Sequence, residues 1–351
     1  MKKNRLLAFL ERSEPCTGEN FSNLDLKGHD FSGMVFDQVD FSQCNFTSCD
    51  LEDCTFHECI FDNAIFDQSN LKESIFRSCS LKFSSFISAN LEGTAFSKVD
   101  FTNSTFKDAK AINTIFQEAN LSNVQFHVEV LFKSAFHDIV SAGLEIGETD
   151  IEKTIFFETD MRHMTIHSRL FSQVVLIGCN LSGMDLSNRR FISCQFTNAN
   201  MNECNLNGSN LVQSVFANAS LAKANLDNTN GALTLFSQAK APFATIRNAV
   251  FDRSIWTEAN LEGVDFNHSS FTYTAFTRAQ CRKAKFDYCA LNFSNFDYTD
   301  LKESSFKNAI FEHTSLHAAL ISDPFLSSKS GIAKRDEALL RAEMHSISRS
   351  S

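Results

Sequence analysis

Large apolar residues return at every fifth position along most of this chain. Stepping by five from Phe21 to Leu316 gives 60 positions, and Phe, Leu, Ile, Met or Trp fills 55 of them. The exceptions are Ala111, Ser141, Gly231, Ala241 and Cys281. The frame never slips, so no net insertion falls between the two ends. A helix would repeat every 3.6 residues and a half-buried strand every 2. A period of five fits neither, and predicts a backbone that turns a corner in every unit. Short internal repeats of this kind point to a solenoid, which can lengthen without changing its core.

A second column supports that reading. Two residues before each large group the side chain is usually small, as at Ala64, Ser69, Ser74, Cys79, Ser84 and Ala89, and again at Ala199, Ala219, Ala224, Ala249 and Ala259. One large and one small inward group per unit fills an interior evenly. Between them Asn or Asp recurs, as in Asn70-Leu71, Asn90-Leu91, Asn120-Leu121 and Asn260-Leu261. These residues bond to nearby backbone and suit turns.

Units such as Ala89-Asn90-Leu91-Glu92-Gly93 and Ala259-Asn260-Leu261-Glu262-Gly263 resemble the A(D/N)LXX signature of pentapeptide-repeat proteins. The resemblance covers residues 19–318. It implies an all-β fold, a right-handed quadrilateral β-helix of about 15 coils with four pentapeptides per coil. Residues twenty apart would then stack at the strand spacing of ~4.8 Å, giving a rod of roughly 70 Å. On that stacking one face collects Phe36, Phe56, Phe76, Phe96, Phe116, Phe136 and Phe156, then Leu176, Phe196, Phe216, Phe236, Trp256, Phe276, Phe296 and Leu316. Twelve of those fifteen are Phe, which accounts for a composition of 37 Phe against 3 Tyr and 1 Trp. An axial stack of rings is the expected result.

The ends depart from the repeat. Residues 1–18 are expected to form an N-terminal cap with a short amphipathic helix over Met1–Arg12. The solenoid is regular and acidic over 19–126, irregular over 127–171 and regular again over 172–321. Residues 322–351 are expected to hold a C-terminal helix, reading from 331 to 346, and a tail. Leu339, Leu340 and Met344 join Ile332 in one apolar stripe. That stripe has two readings, an intramolecular cap and a homodimer contact. End-to-end dimers through the C-terminal region are implied by the family resemblance.

In the irregular segment, Glu129, Ile139, Leu144, Met164 and Arg169 occupy positions that call for a small group. Glu129, Thr149, Arg169 and Arg189 fall on one face. Burying unpaired charge costs several kcal/mol. Either these side chains escape outward or the coil is distorted. Glu129, Arg169 and Arg189 are therefore candidate partner contacts.

Charge separates the two halves. Residues 14–126 carry 17 acidic and 7 basic groups, while 172–321 carry 12 of each. The sharpest acidic patch, Asp50, Glu52, Asp53 and Glu58, is a candidate contact for a basic partner. A net charge of −10 argues against direct binding of nucleic acid. No apolar run reaches the ~18–20 residues that span a bilayer. The opening patch ends too early for a signal peptide. The expected location is the bacterial cytoplasm, with export by a specialised secretion machine left open.

Candidate chemistry is sparse. Nine of the eleven cysteines sit in the small column, which marks them as buried small apolar groups. Cys44, Cys49, Cys54 and Cys59 would occupy the four sides of one coil. Four thiolates suit zinc, but the spacing is the fold's own. Cys59 and Cys79 would stack in neighbouring coils, close enough for a disulfide. Unpaired thiols in such number fit a reducing compartment. His163–His167 and His313–His317 have four-residue spacing, but neither pair is helical in this frame. His57 and Glu58 beside Cys59 resemble a thiol nucleophile set, with Cys59 expected to point inward. There is no Walker loop, no G-x-G-x-x-G and no G-x-S-x-G. The expectation is no cofactor, no metal and no catalytic set. The predicted function is a non-enzymatic scaffold for a protein partner, in one version an accessory, adaptor or effector of a bacterial secretion system. The alternative is DNA mimicry toward DNA gyrase and topoisomerase IV, which the family resemblance implies for acidic rods of this fold. An enzyme carried by the middle segment or the tail is the third reading.

Overall fold

A computed structural model describes residues 1–323, 326–333, 338 and 340–342. The chain is a parallel β-solenoid of about 15 turns. It divides into two compact units, Met1–Cys179 and Asn180–Ser351.

The period of five arises at the corners. In a regular quintet the residue two places after the large group is left-handed, as at Gln43 (φ 59°), Ser48 (φ 56°) and Asp53 (φ 56°). The N–H of the following small residue bonds back to the carbonyl of the large one, as from Cys44 to Phe41 at 3.1 Å. Asn and Asp one place before the large group brace the corner. Asp40 Oδ1 accepts from the Ser42 N–H at 2.9 Å, and Asn45 Oδ1 from that of Thr47 at 3.0 Å. These are side chains mimicking a backbone turn. Successive coils are joined by backbone bonds at a register of twenty. The Phe41 N–H donates to Ile60 O at 2.7 Å, and the Ile60 N–H to Val39 O at 3.0 Å.

In the first unit one face extends into an eight-stranded parallel sheet running from Cys16–Thr17 through Val35–Asp37, Thr55–His57, Ile75–Arg77, Ala95–Ser97, Ile115–Gln117 and Ala135–His137 to Ile155–Phe157. The pairing aligns Phe56 with Phe76 and Phe96 with Phe116. Their rings are buried and stack face to face, with centroids 4.5 Å apart for Phe56–Phe76 and 5.2 Å for Phe96–Phe116. In the second unit the same column runs Phe196, Phe216, Phe236 and Trp256, with centroids 4.7, 4.6 and 3.9 Å apart. Trp256 is fully buried, and its indole N–H donates to Ser254 Oγ at 2.7 Å. Gly231, an exception in the large column, makes room for a neighbour. A Cβ there would lie 2.0 Å from the Phe251 ring of the next coil.

Both ends are covered. Helix α1 (Lys2–Arg12) buries Leu6 and ends at Ser13, which is left-handed. Lys2 Nζ donates to Asn20 Oδ1 at 2.6 Å and Lys3 Nζ to Asp25 O at 2.8 Å, tying the helix to the first coil. At the other end of the second unit, Thr314 pairs with Ile332. The Thr314 N–H donates to Gly331 O at 3.1 Å, and the Ala333 N–H to Thr314 O at 2.8 Å. This segment takes the place of a further coil and satisfies part of the exposed edge. The helix expected from 331 therefore starts later. Gly331 has φ 87° and Ile332 is in the bridge, while 338 and 340–342 are helical. No helix among the described residues is long and apolar enough to cross a membrane.

Candidate interaction surfaces

In a regular quintet two side chains face in and three face out, so chemistry along the surface is set by columns. The acidic patch of the first unit shows how. Asp50, Glu52 and Asp53 border one corner, and Asp53 itself takes the left-handed position. Asn70 of the next coil donates through Nδ2 to Asp50 Oδ1 and to Glu52 Oε2, both at 3.0 Å. Lys72 Nζ lies 3.7 Å from Glu52 Oε1. Glu58 stands on the following corner (φ 52°) and accepts from Gln38 Nε2 at 2.9 Å. His57 points to Asp37, with Nδ1 2.8 Å from Oδ1, rather than to Cys59. Asp50, Glu52 and Asp53 thus form one group and Glu58 another. Residues 1–179 carry 26 acidic and 15 basic groups, a net of −11, whereas 180–351 carry 16 and 17, a net of +1.

The segment from 127 to 172 keeps the register of twenty. Leu131 aligns with Ile151, and Ile151 with Phe171. Its corners at 128, 148, 163 and 168 are rebuilt. None of these four residues is left-handed. The inward place passes one residue back, to Val128 and Ser168, which are buried. Glu129 and Arg169, in the small-column positions, are consequently exposed. Thr149 Oγ1 donates to Val128 O, and Ser168 Oγ to Gly147 O at 3.0 Å. Ile139 and Leu144 stay inside, and they flank Ser141, the small exception in the large column. Two large groups beside one small one restore the volume.

Rebuilding opens two surface hollows. One, about 420 Å³, is lined by Glu129, Val130, Leu131, Phe132, Thr149, Asp150 and Glu152. The other, about 360 Å³, is lined by His127, Val128, Glu145, Gly147, Glu148, Thr149 and His167. In the second, Glu145 Oε1 is 3.1 Å from His167 Nε2 and 3.2 Å from His127 Nε2, so one carboxylate reaches two rings that lie two coils apart. Gly147 sits between those rings, and a Cβ there would come within 3.1 Å of His127 Cα.

Arg189 lies in the second unit and is half-buried, and burial lowers its pKa from the ordinary value. Leu340 is helical and half-buried. Leu339 and Met344 lie outside the described residues. The cysteines all point inward as free thiols. Cys44 Sγ donates to Phe21 O at 3.0 Å, Cys49 Sγ to Leu26 O at 3.0 Å, and Cys54 Sγ to Phe31 O at 2.9 Å. Burial pushes the thiols of Cys44 and Cys49 up to about 11 and that of Cys54 up to about 12. Among the described residues no three His, Cys, Asp or Glu side chains gather as a metal requires.

Several outward residues were not singled out by the sequence reading. They include His127, Glu145, Asp150 and Glu152 at the hollows, and Tyr273, Phe293 and Tyr298 in the second unit. For the three rings the signal was the left-handed column, at numbers ending in 3 and 8. Polar residues or Gly fill it in most quintets, so rings there stand out.

A solenoid turning once per twenty residues, with paired inward columns and left-handed corners, is the architecture of a repeat protein that exposes extended faces. Family models agree over most of the length. "Pentapeptide repeat region" matches residues 79–156. "Pentapeptide repeats (9 copies)" matches 20–65 and 41–85. "Pentapeptide repeats (8 copies)" matches five stretches between 170 and 323. The chain belongs to the pentapeptide-repeat family.

Among solved structures it is similar to HetL, a pentapeptide repeat protein involved in heterocyst differentiation regulation in the cyanobacterium Nostoc sp. strain PCC 7120. That match has 17% identity and a TM-score of 0.23, covering 89% of this chain and 96% of that one. It is also similar to QnrB1, a plasmid-mediated fluoroquinolone resistance protein, at 16% identity and a TM-score of 0.34, covering 62% of this chain and 96% of that one. A pentapeptide repeat protein from the thylakoid lumen of Arabidopsis thaliana matches at 26% identity and a TM-score of 0.19, covering 30% of this chain and 66% of that one. No curated protein matches the sequence.

Proposed function

We propose that this protein is a non-enzymatic interaction scaffold whose first unit docks a basic protein partner. The supporting observation is the segregation of charge, −11 over residues 1–179 against +1 over 180–351. A one-sign surface attracts a partner of opposite sign and speeds encounter. The outward rows of Asp and Glu around Asp50–Asp53, together with the hollows that hold Glu129, Asp150 and Glu152, supply carboxylates on a rigid support. Glu129, Arg169 and the acidic patch are the contacts proposed here. Arg189 and the C-terminal residues Leu339, Leu340 and Met344 are a second set, and the latter three serve a dimer reading of the tail.

Two partner classes fit such a scaffold. One is a component of a bacterial secretion system, with this chain as accessory, adaptor or effector. The other is DNA gyrase or topoisomerase IV, with the first unit standing in for DNA. The charge of residues 1–179 favours the second, because such enzymes hold DNA on basic surfaces.

The test is capture by the immobilised full chain of purified gyrase and topoisomerase IV subunits, and of purified secretion-apparatus proteins, at about 50 and about 300 mM salt. Salt-sensitive capture, lost in an Asp50→Lys/Glu52→Lys/Asp53→Lys variant, supports acidic docking and identifies the class. Capture that ignores both salt and the triple change would overturn it.

A further inference from the structure

We propose that a second copy of this chain docks side by side on one flat face of the second unit, about a two-fold axis parallel to that unit's solenoid axis. Two corner columns bound this face, 233-253-273-293-313 and 238-258-278-298-318. Every one of these ten residues is left-handed, with φ between 50° (His313) and 61° (Leu233). Bulky side chains are disfavoured in that conformation, and Asn, Gln, Glu or Lys fills the same corner in most other quintets. The fold does not ask for Tyr273, Phe293 or Tyr298 here, yet they stand 56%, 36% and 39% exposed.

The rings partly support one another. Tyr273 and Phe293 stack at 4.7 Å, and Arg253 lies 5.8 Å over Tyr273. Phe293 stacks in turn on His313 at 5.4 Å, and Arg278 lies 5.6 Å over Tyr298. Between the columns runs an apolar strip, Leu235 (38% exposed), Ile255 (37%) and Ala275, aligned coil on coil. Tyr and Arg, which rim this strip, are enriched among binding hot spots.

The occupant follows from the pairing of the two columns. The proposed axis lays one column on the other column of the second copy, in the same coil row. Arg253 then meets Glu258, Tyr273 meets Arg278, and Phe293 meets Tyr298. The first is an ion pair, the second sets a guanidinium beside a phenol, and the third is a ring pair, and each occurs twice by symmetry. No like charges meet in these rows. Leu235, Ile255 and Ala275 fall near the axis and face their own copies. Such row-by-row self-complementarity is what an isologous interface requires. The inference is independent of the partner proposed for the first unit.

The experiment uses the full chain. All native cysteines are buried, so an added exposed thiol reports alone. Under mild oxidation Ile255→Cys should give a covalent dimer. Val250→Cys, equally exposed on another face (42%), should stay monomeric. By sedimentation, the wild type should be dimeric at about 50 μM, and Ile255→Asp should weaken association about a hundredfold. Arg253→Glu and Glu258→Arg should each weaken it about tenfold, and the double reversal should restore it. A monomeric wild type, a cross-link at 250 but not at 255, or no rescue by the double reversal would each overturn the proposal.

Discussion

Within the first unit, the coils of residues 14–126 and those of 127–172 share one register but solve the corner differently. In the first set a left-handed residue turns each quintet and the next residue points in. In the second set four corners, at 128, 148, 163 and 168, lose the left-handed turn, and at 128 and 168 the corner residue itself points in instead. The coil length stays at twenty because the backbone bonds between coils fix it. Register therefore belongs to the interstrand ladder, whereas the identity of the inward residue belongs to the corner. Freed from the interior, Glu129 and Arg169 become surface, and the departure from regular turns leaves hollows where the regular coils are flat.

This comparison can be broken most forcefully at the shared core. Phe96→Ala in the regular coils should cost about 3–5 kcal/mol, and Phe136→Ala in the rebuilt region should cost the same, since both rings are fully buried in one stack. Chemical denaturation measures both. A much cheaper Phe136→Ala would mean that the rebuilt region is loosely packed.

A sharper contrast lies at adjacent positions. Val128→Ala should cost about 1–2 kcal/mol, because its side chain is buried. Glu129→Ala should stay within about 0.5 kcal/mol, as for other exposed sites. The reverse order would place Glu129 inside and cancel the rebuilt corner.

Alkaline pH should separate the regions next. Cys44, Cys49 and Cys54 lie in the regular coils, and burial raises their thiols above the ordinary value of 9.0. Their folded pKa exceeds the unfolded one, so the stability they contribute is complete below pH 9 and is lost as pH rises toward about 11–12. Residues 127–172 contain no cysteine. Iodoacetamide labelling followed by mass spectrometry should show the regular coils opening with rising pH. Labelling of Cys44 at pH 8 without denaturant would contradict their burial.

A modest effect is expected at Gly147. An added methyl meets His127 Cα at 3.1 Å, so Gly147→Ala should cost about 1 kcal/mol and push the His127 ring from Glu145. Thermal melting and His127 chemical shifts would report it. A neutral change would show that the hollow is roomier than described.

The fold was legible because two columns repeat without a slip. The large column alone excludes helix and strand periods, and the ring stack from Phe36 to Phe156 follows from counting by twenty. The sequence also flags Glu129 and Arg169 as misfits. It cannot say how the misfit is relieved, because relief depends on backbone dihedrals at 128 and 168 that no side-chain pattern encodes. The Glu145 bridge between His127 and His167 was hidden for a related reason. Its members come from three coils, and each alone looks like an ordinary surface residue. The C-terminal stripe misled at Ile332, whose apolar character serves an edge pairing with Thr314 rather than a helix face.

The most direct test of the rebuilt corner is thiol accessibility at two neighbouring positions. With every native cysteine buried, Glu129→Cys and Val128→Cys can be labelled in otherwise unchanged chains under native conditions. Rapid labelling at 129 and protection at 128 is the predicted result. Rapid labelling at 128 with protection at 129 would show that the corner turns as in a regular quintet, and the hollows beside it would lose their basis.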